Sequence, residues 1–121
     1  MSERLQALRG ATTVEHNEKD AILDATEELV REVMSRNDLA PEDMVSCIFT
    51  CSPDLDADFP AVAARRLGLT SVPLLCAREI AVPDALPKVI RLLLHCYLPK
   101  PGQHVYLHEA VKLRADLEHA Q

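Results

Sequence analysis

Apolar and polar positions alternate along this chain in two different periods, and the switches between them mark the elements. Leu5 to Val14 predicts a first strand, with the run Arg9-Gly10-Ala11-Thr12-Thr13 favouring extended backbone through its threonines. The period then lengthens. Ile22, Ala25, Thr26, Leu29, Val33 and Met34 fall on one face of a helix spanning about Glu18 to Arg36, with Asn17 as its N-cap. Glu27 and Glu28 lie one turn from Arg31, so the opposite face is solvated. A polar connection, Asn37 to Asp43, leads to a second strand, Met44 to Cys51, rich in strand formers. The acidic loop Ser52 to Asp58 follows. Pro60 then opens a short helix, PAVAARRL, at a first helical position, and Gly68 closes it.

Ser71 to Ala77 predicts a third strand and Val82 to Pro87 a turn-rich link. Lys88 to Leu98 fits a helix by its leucines and a strand by the prolines that bracket it; the strand is the preferred reading. On that reading Arg91, Leu93 and His95 share one face, and Ile90, Leu92 and Leu94 the other. After the turn Pro99 to Gly102, His104 to Leu107 makes a last short strand, and Glu109 to Gln121 a tail. The order strand, helix, strand, helix, strand, strand, strand predicts an α+β (or α/β) fold around one mixed sheet with flanking helices.

Two charges interrupt these apolar runs. Arg91 sits inside VIRLLLHCYL, and Glu79 follows VPLLCAR. A charge in a buried run is costly unless paired, so Arg91 has either Glu79 as a permanent partner or a ligand to bind.

Composition narrows the chemistry. The 121 residues suit one domain, 1–121, with a core of its own. No stretch approaches the ~18 apolar residues of a membrane span, and MSERLQALRG is no signal peptide, so the expected location is cytoplasmic. The four cysteines, Cys47, Cys51, Cys76 and Cys96, form no CxxC pair and read as reduced thiols, chiefly core filler. A net charge of -6 argues against a nucleic-acid partner. With aromatics at 3%, the core must be aliphatic, and Tyr106 and Phe59 stand out as site candidates.

His95, His104 and His108 with Glu109 lack a metal-ligand spacing. Cys76 or Cys96 with His95 could form a nucleophilic pair, but no oxyanion-loop signature accompanies them. Three glycines supply neither GxGxxG nor a P-loop. Neither a metal nor a cofactor is therefore expected. What remains is a set of arginines near strand ends, Arg9, Arg65, Arg78, Arg91 and Arg114, with Glu79, Tyr106 and Cys76. Guanidinium groups hold carboxylates bidentately and a tyrosine hydroxyl can complete the shell, so the set suits a small polycarboxylate. It contains no obvious acid/base couple, which suits chemistry done by positioning and charge alone.

RGATTV at Arg9 to Val14, TCSPDLDADFPAVAARRLG, VPLLCAREIAV and HVYLHEAVKLRADL occur in collinear order over nearly the whole chain. Together they resemble the monofunctional, trimeric, α/β-type chorismate mutases. The resemblance implies a pseudo-α/β barrel built by three chains, with sites at the subunit clefts, and supports the strand reading of Lys88 to Leu98. It implies conversion of chorismate to prephenate by a Claisen rearrangement, in aromatic amino acid biosynthesis. By motif, Arg91 resembles the arginine that donates to the ether oxygen, and Glu79 the glutamate facing the ring. Arg9 and Tyr106 resemble the pair holding the side-chain carboxylate. Cys76 resembles the residue near the ring hydroxyl, while Phe59 and Ala61, with Leu74 and Leu113, resemble the substrate-binding wall. Arg65 and Arg114 resemble the outer residues that capture the dianion.

The chain departs from the family pattern in having Val62 where a lysine is expected after FPA, a gap that Arg65 could fill from the next helical turn. Leu75 likewise replaces a smaller polar residue. The competing readings are an imine-deaminase-like trimer that binds small carboxylic acids without catalysis, and a structural domain in which Arg91 and Glu79 merely neutralise each other.

Overall fold

The computed structural model describes residues 3–113. Its elements are β1 (Arg4–Thr13), α1 (Lys19–Asn37), β2 (Met44–Cys51), α2 (Ala61–Arg66), β3 (Leu74–Arg78), β4 (Val89–Leu98) and β5 (Val105–Tyr106). Single 3-10 turns precede β2 at Pro41–Asp43 and follow β5 at His108–Val111. The five strands form one mixed sheet in the order β3-β2-β4-β1-β5. β4 runs antiparallel to both β1 and β2, whereas β2/β3 and β1/β5 are parallel. Lys88 to Leu98 is thus a strand, and the expected α+β architecture is present.

Both helices cover one side of this sheet. Along β4, Ile90, Leu92, Leu94, Cys96 and Leu98 are buried, whereas Arg91 and Tyr97 on the alternate face are exposed. Leu92, Leu94, Cys96 and Leu98 pack with Leu8, Phe49, Val105 and the α1 residues Leu29, Val30 and Val33 in the main core. Burying each such side chain contributes about 1.5–3 kcal/mol, so the helix-side face anchors the sheet. A smaller cluster of Val14, Ile22, Leu55 and Ile90 closes the end of the sheet where α1 begins.

Four local expectations are corrected. Asn17 does not cap α1; Glu18 is the N-cap residue and makes no side-chain cap bond. Asn17 instead accepts bonds from the backbone N–H groups of Asp56 and Ala57 and donates to the Asp56 carboxylate, so its amide fastens the acidic loop. The third strand starts at Leu74 rather than Ser71, because Pro73 has no N–H to contribute to a ladder. Nor is that strand buried, for β3 is the sheet edge and Leu75 is 61% exposed. Finally, β5 excludes His104, whose ring Nδ1 accepts the Arg9 backbone N–H at 2.9 Å in place of a backbone carbonyl.

Candidate active site

Strand register brings the chemistry together. Cα pairing runs across the sheet from Ala77 to Thr50, Arg91, Ala11 and Tyr106, one residue from each strand in a single transverse row. The row lies on the face away from the helices, and Arg91 projects from the middle of it. Arg9 lies two residues along β1 from Ala11, and Glu79 two residues beyond Ala77, so both belong to this face.

Arg91 and Glu79 do meet. Arg91 Nε lies 3.1 Å from Glu79 Oε2, with the arginine side chain 45% and the glutamate 18% exposed. The expectation of a deeply buried pair is therefore not met, because Arg91 projects from the open side of β4 while its neighbours fill the core. The contact runs from the Nε edge of the guanidinium, and nearly half of the arginine side chain stays open to solvent. Glu79 Oε2 also accepts a bond from Thr50 Oγ1 at 2.6 Å. Beyond the end of β3, the Glu79 N–H donates to the Cys51 carbonyl at 2.9 Å and keeps the residue in register.

Tyr106 places its hydroxyl out of contact with solvent and, among the described residues, without a hydrogen-bond partner. A buried hydroxyl left in that state costs free energy that a ligand oxygen would recover. Arg9 stands beside His104, whose protonation is disfavoured first by burial and then by the Arg9 guanidinium. A neutral ring keeps Nδ1 available as an acceptor for the Arg9 N–H.

A second group of expected residues lies elsewhere. A cleft of about 350 Å³ at the β3 edge is lined by Cys76, Arg78, Phe59, Leu55, Asp56 and their neighbours. Phe59 is 67% exposed there. It is held by a loop tied at both ends: Asn17 grips Asp56 and Ala57, while Asp54 accepts bonds from the Lys88 N–H and from the Ser52 hydroxyl. Leu74 and Cys76 lean toward the helix-side core, and Ala61 is buried within it. Arg65 is exposed on α2, where the cleft lining does not include it. The described cation on that lining is Arg78, which sequence reasoning counted among the arginines but gave no site role; its signal is its position two residues past Cys76. Leu113 is partly buried at the end of the described residues, and Arg114 lies outside them.

The other candidate chemistries disperse. Cys76 points to the helix side of the sheet and His95 to the open side, where His95 Nδ1 is 3.2 Å from Ser46 Oγ. Burial pushes the Cys47 and Cys51 thiols up to about 12 and raises Cys96 as well. The described cysteines are all free. His95, His104 and His108 occupy three separate places, with His108 on Glu28 at 2.8 Å. Among the described residues no group of three or more His, Cys, Asp or Glu could hold a metal ion, and no described helix is long and apolar enough to cross a membrane.

The type I chorismate mutase family model matches residues 5–117. The chain belongs to that family. It is 46% identical over 121 residues to chorismate mutase AroH of Thermus thermophilus, covering 97% of this chain and 99% of the relative. Chorismate mutase AroH of Bacillus subtilis is 39% identical over 117 residues, covering 93% of this chain and 92% of its own. A solved chorismate mutase from Clostridium thermocellum superposes with a TM-score of 0.87 at 45% identity, over 88% of this chain and 98% of that one. Among the described residues, Thr50 is a side chain bonded to the central pair that sequence reasoning missed, since a threonine in a strand signals β propensity before it signals chemistry.

Proposed function

We propose that this chorismate mutase converts chorismate to prephenate, in aromatic amino acid biosynthesis, with Arg91 and Glu79 as the catalytic pair. The observation that carries the assignment is the guanidinium of Arg91, paired with Glu79 yet 45% exposed on the open side of the sheet. In the rearrangement the ether C–O bond breaks as a C–C bond forms, with no covalent intermediate and no proton transfer. Negative charge grows on the ether oxygen, and a cation held in place beforehand binds that charge more tightly than the ground state. Glu79 would face the ring, which becomes relatively positive. Arg9 and Tyr106 would hold the side-chain carboxylate, the Tyr106 hydroxyl gaining the partner it lacks. The anchoring through Glu79 costs little reorganisation during reaction.

The enzyme is read as a homotrimer with shared sites. Arg9, Glu79, Arg91 and Tyr106 lie on the open sheet face, while Phe59 and Cys76 line a cleft at the β3 edge. Facing different ways, the two groups are suited to completing a pocket with the complementary group of a neighbouring chain, as in the pseudo-α/β barrel implied by the family. Val62 leaves the expected lysine contact unfilled, and Arg78 is the cation placed to supply one.

Absorbance at the chorismate band, followed with and without protein, tests the activity. Arg91→Ala is expected to lower kcat by at least about 10²- to 10³-fold, the cost of removing one preorganised donor. A wild-type protein without effect on the band, or an Arg91→Ala protein that retains full kcat, would refute the assignment. The imine-deaminase-like binder is not favoured, because the family match over residues 5–117 is to chorismate mutase.

A further inference from the structure

We infer that Thr50 is a positioning residue for the Glu79 carboxylate, and through it for Arg91; the inference rests on the catalytic role proposed for that pair. Glu79 stands one residue beyond the end of β3, ahead of the exposed segment 80–85. A glutamate at such a place has three side-chain torsions to lose and a single backbone bond, to Cys51, to steady it. Thr50 lies one strand inward, on β2, hydrogen-bonded on both sides by β3 and β4. Its β-branch restricts χ1, so the hydroxyl is a stiff donor on a stiff strand.

Register sets what that donor can reach. Thr50 pairs with Ala77 on one side and with Arg91 on the other. Glu79, two residues past Ala77, turns back across the alanine, and its Oε2 receives the Thr50 hydroxyl at 2.6 Å and faces Arg91 Nε at 3.1 Å. Both contacts fall on the same oxygen, which is thus held from two neighbouring strands, β2 and β4. Without the Thr50 hydroxyl this carboxylate, at the loose end of β3, would be free to sample other rotamers, taking the contact with Arg91 with it. Threonine does here what neither an alanine nor a valine of similar shape could do.

The experiment is a double-mutant cycle on the full chain with chorismate as substrate. Thr50→Val preserves shape and strand propensity while removing the donor, and is expected to lower kcat on the order of ten- to a hundredfold, as loss of a hydrogen bond to a charged group does. KM should change little. Thr50→Ser, which restores the hydroxyl, should recover most of the rate. In a Glu79→Gln background, adding Thr50→Val should cost far less than it does in wild type, because the carboxylate it positions is already gone. Circular dichroism and oligomeric state separate misfolding from mispositioning, with Thr50→Ala as the second variant should valine fail to fold. Wild-type kcat in Thr50→Val, no rescue by serine, or equal losses with and without Glu79 would overturn the inference. If wild type is active and Arg91→Ala is not, those results reject Thr50 alone; an inactive wild type rejects the underlying function.

Discussion

Arg91 separates a structural charge from a catalytic one. Had the pair been fully buried, removing the arginine would have stranded Glu79 at a cost of about 3–5 kcal/mol. At 45% exposure for Arg91, the pair behaves more as a surface ion pair, worth about 0–1 kcal/mol. Arg91→Ala is therefore expected to shift the urea midpoint slightly while it abolishes most of the turnover, and a large fall in both would return the residue to a structural role. The thiols offer a separate residue-scale test. Cys47 is held up to about 12 by burial and by Cys76, and Cys51 by burial, Cys76, Glu79 and Asp54. In the unfolded chain a thiol ionises near 8.5, so between about pH 9 and 12 the unfolded state binds fewer protons than the native one. Stability is then complete below pH 8.5 and falls as pH rises, by at most about 1.4 kcal/mol per pH unit for each thiol. Urea melts at pH 8 and pH 10.5 should show that decline, and Cys47→Ala should flatten it.

Among the elements, β5 and the loop before it place Arg9 and Tyr106, and Asn37 holds that loop. The Asn37 side chain is 5% exposed; its Nδ2 donates to the carbonyls of Val33 and Gln103, and its Oδ1 accepts the Gln103 N–H at 2.6 Å. Gln6 makes a similar tie from β1, accepting the Gly102 N–H at 2.8 Å and donating to the Lys100 carbonyl at 2.7 Å. Asn37→Ala leaves buried backbone groups unsatisfied and is expected to cost about 1–3 kcal/mol. Because the loop carries His104, and His104 accepts the Arg9 N–H, the same substitution should raise KM more than it lowers kcat. Unchanged thermal stability in that variant would refute the tie. Asn37 was legible in the sequence only as the start of a polar connection, since Gln103, its partner on the 99–104 loop, is brought to it by folding.

At the scale of the whole molecule, the division of site residues between the open sheet face and the β3 edge predicts complementation between chains. Arg91→Ala and Phe59→Asp damage different faces, and trimers reassembled from an equal mixture should contain intact sites wherever an undamaged face meets an undamaged edge, about a quarter of them. Activity regained on mixing, from two proteins each inactive alone, is the expected outcome. If both variants are trimeric and the mixture stays inactive, the site lies within one chain.

Two periods of apolar residues predicted most of the strands and helices and their order, because burying one face of each element is a local requirement written into its own residues; for Lys88 to Leu98 the pattern fitted either class, and the bracketing prolines and the family resemblance decided it. Motif likewise carried the family and the candidacy of Arg91 and Glu79. The row Ala77, Thr50, Arg91, Ala11 and Tyr106 was not readable, since it depends on the register of five strands far apart in the chain. Nor could the sequence say that VPLLCA forms an exposed edge: an apolar run reads the same whether helices of its own chain or another surface covers it. Those decisions belong to tertiary structure, where hydrogen-bond register and strand order, rather than residue type, set which side chains meet.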